Sequence, residues 1–347
     1  MRVMFDAYWL ADGPPSGRNV VSSLIAAWAS EFKADDLTAL LPADVEIDLP
    51  STVSRIVVRP FVPNHGLWVQ TQLGKASAHS DVLITQNFAP LLRQEGRLSV
   101  VFMHDAIYRR HPEWFQWRER RYLDVATASL RQADLIWTSS EAEASQIRGL
   151  LPRYGERVVP IGLAVPRGLA TAVAIRPGGH TAEPFVLAVG RLNVRKNVGR
   201  LIEAVTPLLA SGRRRLLIVG TPDGMEFLQE EHENVHFMGG VSDGELRWLY
   251  ENCEAFVFPS LDEGFGLPLY EAKFFGAPVA ASAIPPFLEG NLADNYFDPT
   301  STGSLRSSVT ELLERRVTAS SADAGLADWS SIARRARASV LRGGERS

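Results

Sequence analysis

The segment Asp262-Glu263-Gly264-Phe265-Gly266-Leu267-Pro268-Leu269-Tyr270-Glu271 follows an apolar run, Ala255–Phe258, and opens into a helical pattern. Gly264 and Gly266 free the backbone to turn its N–H groups outward. A helix start adds about half a positive charge. Together they form an anion site suited to a diphosphate. Glu263 lies in the loop and Glu271 in the second turn of the helix. Two carboxylates at one place can take two jobs, one on the hydroxyls of a polar substrate and one on a ribose. The competing reading is a tight turn with two solvated glutamates. The preceding strand and the following Gly276-Ala277-Pro278-Val279 weigh against it.

A second candidate is Gly190-Arg191-Leu192-Asn193-Val194-Arg195-Lys196-Asn197, directly after the apolar run Phe185–Val189. The passage from a strand end to a helix start is where phosphate binds in α/β folds. Arg191 offers a planar fork and Lys196 a compact point charge, so the pair can neutralise a departing diphosphate without a metal. His104-Asp105 also ends a strand, Leu98–Met103; it reads either as a polar contact to substrate or as a structural histidine. The chain lacks D-x-D, H-E-x-x-H, a His/Cys cluster and a G-x-S-x-G elbow, so metal-centred and serine-hydrolase chemistry lack support. The first strand runs into Gly13-Pro14-Pro15-Ser16-Gly17-Arg18-Asn19, which is not the dinucleotide fingerprint.

These residues need strand ends to hold them, and the rest of the chain supplies strands. Short apolar runs alternate with longer amphipathic ones, which predicts α/β architecture with parallel, doubly wound sheets. In the first half, strands are expected at Arg2–Asp6, Leu37–Leu41, Arg55–Val58, Val82–Thr85, Leu98–Met103 and Leu135–Thr138. Helices are expected at Gly17–Phe32, from about Phe115 to Gln132, and at Ser140–Leu150, with Ser140 and Glu143 as a capping box. Prolines and glycines break the pattern between Pro160 and Pro184. Residues 1–165 therefore read as one domain, 166–183 as a linker and 184–347 as a second domain, whose last helices can cross back to the first. In that second half strands are expected at Phe185–Val189, Arg215–Val219, Val235–Phe237, Ala255–Phe258 and Pro278–Ala281. Helices are expected at Val198–Ala210 with Asn197 as N-cap, at Asp223–Glu231, at Asp243–Asn252 with a Ser242/Glu245 capping box, at Gly266–Phe275 and from about Ser304 onward.

Composition narrows the class further. The chain has 347 residues, 46% of them hydrophobic, and a net charge of −4, which argues against a broad basic face for nucleic acid. The single cysteine, Cys253, excludes an intramolecular disulfide and fits a reducing cytoplasm. Asp6 interrupts the first apolar run too early for a signal peptide, and no stretch reaches the ~18 uninterrupted apolar residues of a membrane helix, so a membrane role would be peripheral.

The motifs, in this order, resemble those of the retaining glycosyltransferases of family 4, which have the GT-B fold: two Rossmann-like domains facing across a cleft. The E-x7-E element matches at Glu263 and Glu271 with its inner GFGLP, and G-R-x4-K-N at Gly190, Arg191, Lys196 and Asn197. The HD element with a later His-Pro matches at His104-Asp105 and His111-Pro112, the glycine turn at Gly17, the segment Gly276 to Ser282, and the late Trp329. The resemblance implies that the second domain binds a nucleotide-sugar and the first an acceptor, a glycan or lipid-linked molecule. It implies that Arg191 and Lys196 hold the diphosphate, after Gly190. Gly264, Phe265 and Gly266, with Leu267 beside them, offer backbone amides, Glu263 contacts sugar hydroxyls, Glu271 the ribose, and Val241 lines the nucleobase pocket. His104 would touch the donor sugar from across the cleft, and Gly17, Arg18, His104 and Asp105 would face the acceptor. Glu263, His104, Arg191 and Lys196 are thereby the candidate catalytic residues, with no cofactor and no metal. The donor would be GDP-, dTDP- or UDP-linked. The family's "I-P-N-G-V" is here Pro160-Ile161-Gly162-Leu163, without the Asn. Two other activities fit the same residues: a protein that binds nucleotide-sugar without transferring it, and a nucleotide-sugar epimerase.

Residues 108–122 hold five arginines and five aromatics. Such a mixture suits a membrane interface or an anionic lipid-linked acceptor. At helical spacing Trp114, Trp117 and Arg121 would share one face. The alternative is inward-packed aromatics with solvated arginines.

Overall fold

Most of the apolar runs form strands buried on both faces, as parallel sheets covered by helices require; the edge strand Ser54–Val57 is the exposed exception. The computed structural model describes residues 1–178, 183–222, 233–315 and 326–344. Among the described residues seven strands make the first sheet: β1 (Arg2–Asp6), β2 (Asp36–Leu41), β3 (Ser54–Val57), β4 (Val82–Gln86), β5 (Leu98–Phe102), β6 (Leu135–Thr138) and β7 (Val158–Pro160). Their order is β3-β2-β1-β4-β5-β6-β7, all pairs parallel. The order reverses beside β1, where Val3 pairs with Leu37 on one side and Val82 on the other. Among the described residues six strands make the second sheet: β8 (Phe185–Val189), β9 (Arg215–Val219), β10 (Val235–Gly239), β11 (Ala255–Phe258), β12 (Val279–Ser282) and β13 (Asn295–Phe297). Its order is β10-β9-β8-β11-β12-β13, again parallel, and it reverses between β8 and β11.

The chain divides into two units that do not follow the expected boundaries throughout. The first holds Met1–Arg110, Trp117–Pro166 and Ala327–Ser347; the second holds His111–Gln116 and Arg167–Leu326. The closing helix Trp329–Gly344 belongs to the first unit because its buried stripe, Trp329, Ile332, Ala333, Ala336 and Val340, packs there. Trp329 Nε1 donates to the Val165 carbonyl at 2.8 Å, and Ser339 Oγ accepts from Trp137 Nε1 at 2.8 Å. The stretch read as a linker is not free chain as far as it is described. It contains a short helix, Arg167–Thr171, and Ile175 N–H donates to the Gly244 carbonyl at 2.9 Å.

Most expected elements form within a residue or two of their predicted limits. The expected helix Asp223–Glu231 lies outside the described residues. Two expected caps differ. Ser140 accepts from Glu143 N–H, but the Glu143 carboxylate turns into the core to bond Ala106 N–H and Arg110 instead of closing the box. Asn197 sits at the start of helix Val198–Gly212 with φ 54°, and its amide donates to the carbonyls of Pro259 and Pro299 at 3.1 and 2.9 Å. It ties two loops of the second sheet together instead of capping its own helix. The Ser242/Glu245 box forms in full.

Candidate functional site

In open parallel sheets, ligands sit beyond the C-terminal strand ends where strand order reverses. In the second unit that place lies between β8 and β11, and both chemical motifs end there. Gly190 leaves β8 with φ 152°, and a Cβ on it would stand 2.9 Å from Lys196 Cε. Its missing side chain lets the tight turn Val194–Lys196 fold the lysine back beneath the strand end. Lys196 Nζ donates to Glu263 Oε1 at 2.5 Å and lies 4.6 Å from the centre of the Phe258 ring. Ser260 Oγ donates to the same carboxylate oxygen at 2.8 Å. Arg195 Nη1 faces the other oxygen, Oε2, at 3.6 Å.

Lys196 and Glu263 are both buried, so either charge alone would be costly and the ionised pair is the state that satisfies both. Burial by itself would raise the Glu263 carboxyl; Arg195, Lys196 and Ser260 outweigh it and hold the group below the usual carboxylate range. Burial pulls the Lys196 ammonium down further than Glu263 pushes it up. An ammonium has three N–H donors, and one here is spent on Glu263. Arg191, the first residue after Gly190, is exposed.

Glu271 projects from helix Leu267–Phe274 and is also buried. Tyr250 Oη donates to its Oε2 at 2.9 Å. Burial pushes this carboxyl up to about 7, the Tyr250 hydrogen bond opposes the rise, and the Lys196 charge reaches it as well. Gly266 stands at the helix start with φ 93°, where a Cβ would lie 2.3 Å from Phe287 Cε1. The Phe265 ring turns inward and stacks on Tyr270 at 4.2 Å, so what it can offer a ligand is backbone. Leu267 begins the helix, half-buried, and Val241 lies half-buried between β10 and helix Asp243–Asn252.

The first unit places its candidates beyond β1, β4 and β5. His104 is half-buried after β5. Its Nε2 meets Gln86 Oε1 at 2.9 Å, and its backbone N–H reaches Asn87 Oδ1 at 3.3 Å. Burial and the neighbouring His65 press its imidazole down to about 3, so it is neutral at physiological pH and its Nε2–H donates to the amide oxygen. Asp105 Oδ1 accepts from Ile107 N–H at 3.2 Å. Arg18 is exposed and donates to the Gly13 carbonyl at 3.3 Å. Gly17 is buried in the first turn of helix Pro15–Glu31, and a Cβ there would lie 2.4 Å from Trp9 Cε3. Its small size seats the Trp9 ring.

The sequence reading did not single out the pair Asp6 and His65. His65 Nε2 and Asp6 Oδ2 are 2.7 Å apart, and both residues are buried. They stand 59 residues apart in the chain, and no local spacing announces them. The one available signal was an acidic residue closing the first strand.

The stretch 108–122 is not one helix. Pro112–Trp114 is a separate 3₁₀ turn and the helix starts at Trp117, so Trp114 does not share a face with Trp117 and Arg121. The extended Phe115 (φ −120°, ψ 139°) breaks the spiral between them. Trp114 stacks on His111 at 3.8 Å, and His111 Nε2 lies 3.4 Å from Asp262 Oδ2. Arg110 pairs with Glu143, whose carboxyl burial raises to about 7, and Arg109 with Asp124. Trp117 remains 69% exposed. Among the described residues no helix is long and apolar enough to cross a membrane.

Comparison with solved structures settles the architecture. Sucrose-phosphate synthase from Thermosynechococcus elongatus superposes with a TM-score of 0.70 at 18% identity, over 99% of this chain and 94% of that one. The fold is GT-B. Anabaena HepE, solved in complex with UDP and glucose, gives a TM-score of 0.68 at 18% identity, over 99% and 100% of the two chains. Residues 175–324 match the family model of the glycosyl transferases group 1, a segment that contains Arg191, Lys196, Glu263 and Glu271. O-antigen chain mannosyltransferase B of Escherichia coli is 28% identical over 243 residues, 62% of this chain and 61% of that protein. The alignment thus spans less than two thirds of that relative's length.

Proposed function

We propose that the chain is a glycosyltransferase that moves a hexosyl group from a nucleotide-sugar to a hydroxyl of a glycan or lipid-linked acceptor, with retention of anomeric configuration and without a divalent metal. The observation that carries this reading is the buried Lys196–Glu263 pair beneath the β8/β11 reversal, with Glu271 on the next helix. The family match over residues 175–324 and the E. coli relative support a hexosyl transfer in polysaccharide synthesis. That relative's name makes GDP-mannose the first donor to test; dTDP-rhamnose and UDP-hexoses follow.

In this reading the two remaining N–H groups of Lys196 and the Arg191 fork take the diphosphate oxygens. Backbone amides at Gly264–Gly266 and the helix start add further donors. Glu263, held ionised by Lys196 and Arg195, accepts from sugar hydroxyls, and Glu271 bonds the ribose. The bond from the anomeric carbon to the phosphate oxygen breaks as the acceptor oxygen attaches on the same face. The acceptor proton passes to the leaving phosphate. Charge grows on that leaving group, and fixed cations stabilise it most when water is scarce. We place the protein in the cytoplasm, with any membrane contact peripheral through exposed groups such as Trp117.

A thermal-shift screen against GDP, UDP and dTDP tests the donor site. A nucleotide at 100 times its Kd should add about 2.7 kcal/mol of stability. A shift with none of the three at millimolar concentration would refute a nucleotide site.

A further inference from the structure

The first sheet has its own reversal, between β1 and β4, and there Asp6 and His65, which the donor chemistry does not use, converge beside His104. The Asp6 carboxylate accepts three hydrogen bonds: from Tyr8 N–H at 3.0 Å, from Gln86 N–H at 3.1 Å and from His65 Nε2 at 2.7 Å. Its acceptor capacity is turned inward, and its effect is to fix the His65 ring with Nε2 as the proton-bearing nitrogen. That leaves His65 Nδ1 pointing away from the carboxylate. Neither this atom nor Nδ1 of His104 has a hydrogen-bond partner among the described residues, and neither is sealed off from solvent. Trp9 lies against both rings, with centroids 5.5 Å from His65 and 4.9 Å from His104, and is itself half-buried.

We propose that this cluster is a saccharide subsite, in which Nδ1 of His65 bonds a hydroxyl of the acceptor and Trp9 forms the apolar wall beside it. The proposal rests on the transferase reading above and adds the residues that take the acceptor. The chemistry favours a neutral polyol. The acceptor sites of the Asp6 carboxylate are taken by three donors of the chain, and His104 is neutral, so what remains for a ligand is imidazole nitrogens and an indole. Two imidazole nitrogens can instead meet two hydroxyls, and an indole beside them covers the C–H face of a pyranose. Asp6 acts as a positioning residue through His65.

The test is binding of purified wild type and His65→Gln to an array of immobilised oligosaccharides, with nucleoside diphosphate affinity measured on the same proteins. Wild type should retain a subset of saccharides. His65→Gln should bind that subset about tenfold more weakly, the loss of one well-placed hydrogen bond. Its nucleoside diphosphate affinity should stay within twofold, which also shows that it is folded. Asp6→Asn, which keeps the imidazole but loosens it, should fall between the two. In turnover assays the His65 change should appear in the acceptor KM and leave kcat at saturating acceptor within about threefold. Equal saccharide binding by wild type and His65→Gln, or no saccharide bound by wild type, would overturn the subsite. Absence of nucleotide binding by wild type would instead overturn the donor reading, so the two failures are distinguishable.

Discussion

Lys196 and Glu263 bring opposite charges into a protein interior, and each is tolerable only because of the other. On the proposed reading Lys196→Ala removes a cation from the leaving group, and it leaves Glu263 buried with Arg195 at 3.6 Å as its remaining cation among the contacts described above. Transfer should fall 10²–10³-fold, about 3–4 kcal/mol, with Arg191→Ala close behind. Steady-state kinetics with the confirmed donor reads this directly; near wild-type activity in either variant would refute the phosphate assignment. The two glutamates should separate. Glu263→Gln should damage transfer more than nucleotide binding, whereas Glu271→Gln should weaken nucleotide and nucleotide-sugar alike. Glu271 also has a pH signature. Its folded value of about 7 stands above the ordinary 4.5, so between those values the folded chain keeps a proton that the unfolded chain has lost. Its contribution to stability therefore declines as pH rises across that window. Glu271→Gln should gain on wild type in urea midpoint between pH 5 and 7.5; a constant difference would contradict the assigned burial. The motif glutamates were legible in sequence because both sit in one ten-residue segment. Asp6 and His65 were not, because only the folded sheet brings them together.

At the scale of elements, apolar runs were enough to locate most strands, since the inner strands of a parallel sheet are buried on both faces and need no alternation; the three-residue edge strands β7 and β13 were not anticipated, being too short to stand out as apolar runs. Caps and turns were read less well, because their side chains answer to tertiary partners. Glu143 left its box for Arg110, and Asn197 left its helix for two proline carbonyls. Helical spacing puts Trp114 and Trp117 on one face, but the chain turns extended at Phe115, a change of backbone that side-chain spacing does not announce. The glycine on which the loop before helix Leu267–Phe274 turns is Gly266. Gly266→Ala would place a methyl into Phe287 at a left-handed φ of 93°. Strain of ~1–3 kcal/mol is expected, together with a displaced helix start. The measurable result is a lower melting temperature and weaker nucleotide binding. An alanine variant that matched wild type in both would show that the loop tolerates another path.

At the scale of the whole molecule, the chain returns to its beginning. Helix Trp329–Gly344 packs within the first unit, and Arg337 bonds Asp35 at 2.8 Å. Ile332 and Val340 alone bury enough apolar surface to contribute ~3–6 kcal/mol. A chain ending at residue 326 should therefore lose hydrogen-exchange protection in β1–β7 while β8–β13 keep theirs. Uniform loss in both sheets would argue against this division into units. The central claim is that fixed protein cations, and no divalent metal, carry the diphosphate during hexosyl transfer. Its most direct test is turnover of radiolabelled GDP-mannose, dTDP-rhamnose and UDP-glucose by purified protein in excess EDTA, with an acceptor glycan present. The account predicts transfer from one of these donors at the same rate with and without EDTA, and loss of that transfer in Lys196→Ala. Activity that vanishes in EDTA and returns with Mn²⁺ or Mg²⁺ would contradict it.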